Sequence, residues 1–444
     1  MQDMTLGSPK AHLLRYAFPL LLGNWMQLSY NAVDSIIAGR FLGQAALAAE
    51  GIAGPVMNFV ILAITGVCIG AGVLMSEAFG ARNYAKLRST LANTVMLGGL
   101  LCIAVSLLGV WFTPQILRAM TVPREIEAIT CAYLRVTFLG APFTFCYNAL
   151  GTGFKSVGDA RTPLKFLAFS AILNALLDVV FLGILGFGIV CSAATTVIAE
   201  ALSAVLAFGY MLRSNRELLP QQWKPDKAIL KQILRYGGPS AIQQAIQPIC
   251  KILIQGQVNS LGVSSIAAFN AVTRVDDFAC IPEQAISSAI STYIAQNRGA
   301  GKPGRIYRGF GVGLGMEACY WLCIGLLTLA LRTPIVRLFV TGDGADDVIF
   351  LGSRYLLYMA FFYGLPAMTN GFQGFFRGMG KLYTTLLGTF LQISLRTVFV
   401  YLLTPTLGLQ GIPYACATGW CAMLLFEVPY FLILWRRSKC MESR

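Results

Sequence analysis

The 444-residue chain is rich in apolar residues and poor in charge: 56% of its residues are hydrophobic, 12% are charged, and its formal net charge is +14. A soluble protein carries about a quarter charged residues, so this composition excludes a soluble globular domain. In such a chain, a basic balance indicates loops beside anionic lipid headgroups and not a nucleic-acid-binding surface. We therefore expect the lipid bilayer, and no nucleic acid, as a partner.

Apolar runs of about 18 or more residues recur along the chain, each able to cross roughly 30 Å of hydrocarbon as a helix. Backbone groups in lipid must pair internally, and the strands of a membrane barrel alternate over about ten residues, so these runs predict helices. The expected fold class is all-α integral membrane with twelve transmembrane helices. The predicted spans are residues 16–38, 51–76, 89–113, 131–154, 163–183, 187–211, 233–256, 266–293, 310–331, 352–375, 383–404 and 411–435.

The basic residues predict the orientation of these spans. With both termini in the cytoplasm, 24 of the 34 Lys and Arg lie on cytoplasmic segments or at the span ends that adjoin them, 7 lie on outer segments or the adjoining span ends, and 3 lie deeper within spans. This asymmetry is what the positive-inside rule predicts, and dropping one span would invert every later loop. The polar N-terminus lacks the pattern of a cleaved signal peptide, so the first span should act as the insertion signal. We expect a multi-pass protein of the cell membrane with cytoplasmic N- and C-termini.

Cysteine and catalytic motifs indicate neither a cofactor nor an enzyme. The twelve cysteines are scattered, mostly within apolar runs, without a CxxC pair or metal-ligand spacing, which predicts small buried side chains. No Walker motif or catalytic arrangement at the membrane face is visible. The single histidine, His12, precedes the first span, so a histidine proton relay within the membrane is excluded.

The two halves of the sequence resemble each other. LLRYAFP (13–19) opens the first span and ILRYGGP (233–239) the seventh, while GIVCSAAT (188–195) pairs with GIPYACAT (411–418), at an offset near 220. Six spans per unit make both copies enter the membrane in the same direction, so a pseudo-twofold axis should run along the membrane normal. We expect a six-helix half at 1–211, a cytoplasmic linker at 212–230 and a second six-helix half at 231–444.

Polar residues mark the interior of the first half. Asn24, Gln27, Asn31 and Asp34 are spaced 3, 4 and 3 apart, which places one polar stripe along the first span. Such a stripe cannot face lipid, so a cavity or a neighbouring helix must receive it. Two further pairs at i, i+4 spacing share one helix face each, namely Asn174 with Asp178 in span five and Thr196 with Glu200 in span six.

Two interpretations of these groups remain open. Carboxylate, amide and hydroxyl oxygens suit a hard cation such as Na⁺, and paired carboxylates in a low-dielectric site favour keeping a proton on one of them. The other interpretation is that the same groups only hydrogen-bond helices to each other. Aromatic rings in the same spans could hold a cationic substrate, although packing is their commoner role. The candidate residues for the cavity or substrate are Asn24, Gln27, Tyr30, Asn31, Tyr147, Glu200 and Gln247.

The second half carries different polar residues. By the repeat, Asn174 corresponds to Arg396 and Asp178 to Val400, so the carboxylate pair is not kept. We expect a buried ion-pair network joining spans seven, eight and eleven, because lone charges would be costly there; a substrate contact at either aspartate is the alternative. The charged residues of the expected network are Lys251, Arg274, Asp276, Asp277, Glu283 and Arg396. The roles of Glu317 and Glu427, isolated in apolar spans, are left open.

Several segments resemble the multidrug and toxic compound extrusion family, and the resemblance covers essentially the whole chain. The motifs that carry it are YNAVDSIIAGRFLG (30–43), NALLDVVFLG (174–183), TTVIAE (195–200), AVTRVDDFACIPEQAISSAISTYIAQNRGAGK (271–302) and GFFRGMGK (374–381). The resemblance implies an antiporter that exports amphipathic, often cationic organic compounds in exchange for H⁺ or Na⁺.

The resemblance also implies an ion-coupling site in the N-terminal half, at Asp34, Asn174, Asp178 and Thr196, with Na⁺ as a possible ligand. In some branches of the family the position of Gln247 is an acid, so its neutral amide predicts coupling through the N-terminal half alone. We expect a monomer that takes a small-molecule substrate. A lipid-linked oligosaccharide flippase of the same superfamily is the alternative, although such flippases often have two extra spans and an arginine-rich cavity.

Overall fold

A computed structural model describes residues 2–214, 217–220, 222–340 and 345–442. Positions 215, 216 and 221 of the expected linker, and the ends of the two expected halves, lie outside the described residues. The described part of the chain is helical and contains no strand. The helices are α1 Pro9–Gly80, α2 Tyr84–Ala119, α3 Arg124–Ser156, α4 Arg161–Asp178, α5 Ile189–Ser214, α6 Lys227–Asn259, α7 Val263–Gly299, α8 Pro303–Arg337, α9 Ala345–Phe362, α10 Gly364–Gly378, α11 Leu382–Leu407 and α12 Gly411–Glu442.

Two breaks reconcile these helices with the twelve predicted spans. α1 has 72 residues, too many for one crossing, and Gly43 interrupts its helical backbone with φ 77° and ψ −168°. A positive φ of this kind suits glycine, so Gly43 divides α1 into two spans. Conversely, α9 and α10 meet at Tyr363 with a bend of 45° and together form one span. The prediction of an all-α fold with twelve spans is confirmed.

Hydropathy separates the lipid-facing helices from the polar ones. By length and composition, seven helical stretches of the described chain could cross a membrane, one of them containing both α11 and α12, and the bent pair would be an eighth. The first part of α1, α6 and α7 are not among them. These three segments carry many of the polar residues of the predicted sites, among them Asp34, Gln247 and Asp276, so their polar faces need partners inside the bundle.

The contacts divide the chain into two compact units. The first unit contains residues 2–3 and 18–245, and the second contains residues 4–17 and the chain from 246 onward. The start of the first repeat, residues 4–17, therefore belongs to the second unit. The start of the second repeat, up to residue 245, belongs to the first unit. Because this boundary falls inside α6, it does not bear on the expected linker at 212–230, which stays a prediction.

Close helix contacts hold these opening turns in place. In the first unit, a Cβ atom on Gly70 would lie 2.4 Å from the backbone nitrogen of Gly237 in α6. Only a glycine allows the two backbones to approach so closely. In the second unit, the hydroxyl groups of Tyr16 and Thr292 lie 3.2 Å apart.

The cysteines are less buried than predicted. Of the twelve, four are buried (Cys68, Cys102, Cys250 and Cys416), four are half-buried and four are exposed. The prediction of small buried side chains therefore holds for some of them and is wrong for the exposed ones. Lipid tails are as apolar as a helix interface, so an exposed thiol on a spanning helix need not be buried in protein.

Candidate functional site

The turn between α4 and α5 positions the central carboxylate of the first unit. Asp178 is the last residue of α4, and a π-helical turn over Val179–Ile184 follows it directly. Such turns interrupt the regular backbone and occur frequently at functional sites. Asn174 lies one turn before Asp178, and the two side chains are 1% and 0% exposed. A carboxylate so deeply buried must be satisfied by its neighbours.

Hydrogen bonds from α5 and α4 surround Asp178. The Thr195 hydroxyl donates to Oδ1 of Asp178. The amide of Asn174 donates to Oδ2 at 3.1 Å, while its oxygen accepts from the backbone nitrogen and hydroxyl of Thr196, each at 3.1 Å. Both oxygens of Asp178 are therefore held by donors, and Asn174 links Asp178 to Thr196.

Asp34 reaches this cluster from the first part of α1. The carboxyl groups of Asp34 and Asp178 lie in hydrogen-bonding contact. Two carboxyl groups this close repel each other when both are charged. The pair therefore keeps a proton on one of them or binds a cation between them. Oδ1 of Asp34 is buried and has no hydrogen-bond partner, so it is available to a cation. The arrangement can bind a proton or a small hard cation through oxygen atoms alone.

The structure brings together all four residues assigned to ion coupling from the sequence, and it adds a fifth. Thr195 was not predicted, yet it is 1% exposed and donates directly to Asp178. Its neighbour Thr196 contacts Asn174 and the Tyr30 hydroxyl. The TT pair in the sequence was a visible signal, but spacing alone could not decide which hydroxyl faces the carboxylate.

Glu50 is a second residue that the sequence analysis missed. It follows the break at Gly43 and lay in a predicted loop. The Ser35 hydroxyl donates to Oε1 of Glu50 at 2.8 Å, and Glu50 interacts electrostatically with Asp34. Its other oxygen, Oε2, is buried and has no hydrogen-bond partner. A third carboxylate therefore stands beside the Asp34–Asp178 pair.

The predicted cavity residues fall into separate groups. Glu200 accepts a hydrogen bond from the Thr144 hydroxyl. Tyr147 interacts electrostatically with Glu200, and its hydroxyl donates to the carbonyl oxygen of Pro163 at 3.2 Å. Glu200 is thus held by α3, and Tyr30, which interacts with Asp34, Asp178 and Glu200, connects it to the Asp34–Asp178 cluster. The other candidates make no described contact with these groups. The amide of Gln27 donates to Asn31 at 3.2 Å, and both side chains are exposed. Asn24 is half-buried, and Gln247 is exposed in the second unit.

The predicted network of the second half is only partly as expected. Lys251 and Asp277 form an ion pair at 3.1 Å that joins spans seven and eight, but their side chains are 66% and 50% exposed, so the prediction of burial is wrong. Asp276 accepts a hydrogen bond from the Tyr363 hydroxyl at 2.5 Å. An exposed pair avoids the desolvation cost that a buried one would pay.

Three other members of the expected network behave differently from the ion pair. Arg396 interacts electrostatically with Asp276, and its Nε atom is buried without a partner. Arg274 is exposed. Glu283 accepts from the amide of Asn370 at 3.2 Å, and no ion pair holds it in the described part of the chain. The expected link of Glu283 to a basic residue is therefore wrong.

Comparisons with known proteins agree with this fold. The chain is 27% identical to "Probable multidrug resistance protein YpnP" of Bacillus subtilis over 413 residues, covering 92% of each chain. It is 25% identical to a protein named "FAD transporter" of Shewanella oneidensis, covering 79% of this chain and 78% of that one. A solved outward-facing multidrug resistance MATE family transporter superposes with a TM-score of 0.90 at 21% identity, covering 99% of this chain and 98% of that chain.

The fold is that of an integral membrane protein built from two repeats of six spans each. The MatE family model matches residues 19–180 and 239–402, one match in each repeat, so the chain belongs to the MatE family. The members of this family are transporters and not enzymes. The chain therefore crosses a membrane several times and transports a small molecule.

Proposed function

We propose that this transporter is a secondary active antiporter that exports small amphipathic cationic organic compounds in exchange for H⁺ or Na⁺ by alternating access. The observation that carries the proposal is the contact between the carboxyl groups of Asp34 and Asp178 inside the first unit. Such a pair has a physical reason to bind a cation and, with hydroxyl and amide donors around it, to release it again. Relatives named as multidrug resistance and multidrug export proteins support the export of drug-like compounds.

The cluster suggests how ion binding changes conformation. Its members come from α1, α4 and α5, so one bound cation holds three helices together in one arrangement. An ion shifts a conformational equilibrium only by its differential affinity for the two states. A tenfold bias needs about 1.4 kcal/mol, which the loss of one ligand in a dry site can supply. Export then follows when the ion-bound arrangement disfavours the bound drug.

Efflux of a fluorescent cation from vesicles tests the proposal. Everted vesicles with overproduced protein receive either a pH gradient or a Na⁺ gradient, each imposed alone. We expect one gradient to drive accumulation of the dye in vesicles with the native protein and neither to do so with Asp34→Asn. Equal amounts of both proteins in the membrane fraction serve as the control for insertion. Transport by the Asp34→Asn protein at the native rate would show that Asp34 is structural and that coupling lies elsewhere.

Anionic compounds are a second substrate class that the same assay can test. The relative named as an FAD transporter handles an anionic compound, and the second unit of this chain carries Arg396 with a buried, unpartnered Nε atom. A guanidinium that has a buried Nε atom without a hydrogen-bond partner can still donate to a negatively charged group. Uptake of FAD into the same vesicles, in competition with the cationic dye, separates the two classes. Transport of FAD without transport of the dye would overturn the proposed cationic substrate.

The proposal extends to the surroundings of the protein. We propose a monomer in the cell membrane. Both termini should lie in the cytoplasm, because the Lys and Arg residues concentrate on the segments that this orientation makes cytoplasmic. Fusions of green fluorescent protein to either terminus should fluoresce, since this reporter matures in the cytoplasm. Dark fusions together with active alkaline phosphatase fusions would reverse the orientation. Light scattering of the purified protein determines the oligomeric state.

A further inference from the structure

Two buried glutamates of the second unit stand outside the site described above. Glu283 lies in α7 and Glu317 in α8, both side chains are 0% exposed, and the two carboxyl groups interact electrostatically. α10 closes over them, since a Cβ atom on Gly371 would lie 3.8 Å from Cγ of Glu317. The second unit thus contains its own pair of acids, although it has Val400 where the repeat would place a second Asp178.

Most of the oxygen atoms of this pair have no partner. Asn370 donates to Oε2 of Glu283 at 3.2 Å, while Oε1 of Glu283 is buried without a hydrogen bond. Both Oε1 and Oε2 of Glu317 are buried without a hydrogen bond. Helix contacts alone do not explain Glu317, because a carboxyl group that bonds to nothing does not hold two helices together. Its unpartnered oxygens point to a ligand of their own.

The surrounding groups do not neutralise the pair. The titratable residues that interact with it are Asp276 and Cys280 of α7 and Tyr320 of α8, none of which is basic. Tyr355 of α9 and Tyr363 face Asp276. The Arg377 guanidinium of α10 lies beyond Ser287, to which it donates at 3.0 Å, and Ser287 in turn donates to the carbonyl oxygen of Asn370 at 2.5 Å. No Lys or Arg forms an ion pair with either glutamate in the described chain.

Burial without a counter-charge decides the protonation state. Moving an isolated carboxylate into a low-dielectric interior costs so much free energy that the group takes up a proton instead. Two adjacent carboxylates add mutual repulsion to that cost. Glu283 and Glu317 are therefore carboxylic acids in this conformation, and water entering the unit would let them ionise.

We propose that Glu283 and Glu317 form a second proton-binding site, in the second unit, which takes up protons from water on one side of the membrane and releases them to water on the other in each transport cycle. The proposal rests on ion-driven export as proposed above. It revises the expectation from Gln247 that coupling runs through the N-terminal half alone. Each step moves only a proton between a carboxyl group and water, so no other reactant is needed.

Glu427 provides a matched comparison. It is also 0% exposed, and its Oε2 atom is likewise buried without a hydrogen bond, but Gln373 donates to its Oε1 atom at 2.5 Å and Arg377 interacts with it electrostatically. A glutamate with an amide donor and a nearby guanidinium has a structural explanation that Glu317 lacks. Glu427→Gln is therefore the control for removing a buried carboxyl group from the second unit.

The number of protons exchanged per substrate is the first readout. In proteoliposomes, the pH gradient that just balances a known substrate gradient yields this number. We expect Glu317→Gln to lower it by at least one and Glu427→Gln to leave it unchanged. Glu283→Gln, whose amide oxygen can still accept from Asn370, is the second variant if Glu317→Gln fails to fold. A native proton number in both Glu283→Gln and Glu317→Gln would overturn the proposal.

Infrared spectroscopy of the native protein keeps the test independent of export. The C=O stretching band of a protonated carboxyl group should disappear as the pH is raised, and the part of this change that belongs to Glu317 should be missing in Glu317→Gln. A band of Glu317 that stays constant over the titration, or that is lost on adding Na⁺ at fixed pH, would overturn the proposal. If neither a pH gradient nor a Na⁺ gradient drives export in native vesicles, the proposed function fails, and the infrared titration alone then decides on this site.

Discussion

At the scale of single residues, the hydrogen bonds to Asp178 determine how the proposed coupling site can hold and release an ion. Thr195 donates to one oxygen of Asp178 and Asn174 to the other, so the charged carboxylate is stabilised after a proton or cation has left. Removing one donor from a buried acceptor costs about 1–3 kcal/mol. The release of the coupling ion should therefore depend on Thr195 as well as on the aspartates.

Thr195→Val tests this dependence, since valine keeps the shape of threonine and removes its hydroxyl. We expect the efflux rate to fall by about tenfold, because the carboxylate loses about 1–3 kcal/mol of stabilisation. The measurement is dye efflux at a fixed ion gradient. Thr130→Val is the control, because Thr130 is equally buried but donates to the carbonyl oxygen of Ile126 in its own helix. Equal rates for the two variants would contradict the assigned role.

Glu50→Gln removes the third carboxylate next to Asp34 while keeping the size of the side chain. We expect the cation concentration for half-maximal efflux to rise by about tenfold, since the site loses a nearby negative charge worth about 1.4 kcal/mol. Titrating efflux against pH or Na⁺ gives this concentration. Glu125→Gln, which neutralises an exposed acid in the first turn of α3, should leave it unchanged. An unshifted titration in Glu50→Gln would show that Glu50 serves only to bind Ser35.

At the scale of helices, two small backbone features arrange the site. Gly43 divides α1, which lets Ser35 and Glu50 meet across the break. The π-helical turn after Asp178 ends α4 and leads into α5, so Asp178 and Thr195 face each other. Hydropathy does not predict either feature, because each is a change in backbone geometry within an otherwise apolar run.

The crossing of α1 and α6 depends on small residues. Gly70→Ala should destabilise the first unit by about 1–3 kcal/mol, because its Cβ atom would lie 2.4 Å from the backbone of Gly237 and one helix would have to move. The apparent melting temperature of the purified protein in detergent measures the effect. Gly99→Ala adds the same methyl group where no atom lies within 4 Å, and it should melt like the native protein. A native melting temperature for Gly70→Ala would mean that the two helices adjust without cost.

At the scale of the whole molecule, coupling requires that ion and drug favour different arrangements. The proposed cluster joins helices α1, α4 and α5 when an ion is bound, so that its occupation should reshape the first unit and disfavour the drug. We expect the affinity for a fluorescent substrate to fall by about tenfold or more as the coupling ion saturates the site. Equilibrium binding over a range of pH and Na⁺ measures this competition. An affinity that is flat across both titrations would mean that Asp34 acts on the rate of rocking instead.

The sequence alone determined the class of fold, and it led to most residues of the proposed coupling site. Long apolar runs can only be helices in lipid, so their count and the repeated motifs led to twelve spans in two repeats. Asp34, Asn174, Asp178 and Thr196 were found because a polar side chain at membrane depth is conspicuous in an apolar helix and because their motifs resemble those of the family.

Only the tertiary structure decided which polar groups share a partner. Thr195 and Glu50 join Asp34 and Asp178 through contacts between helices distant in sequence, and helical spacing predicts faces but not their neighbours. For the same reason the sequence assigned Glu283 to an ion pair and left Glu317 without a role. Burial against α10 and the absence of a basic partner in the described chain depend on how helices pack, which residue order alone does not specify.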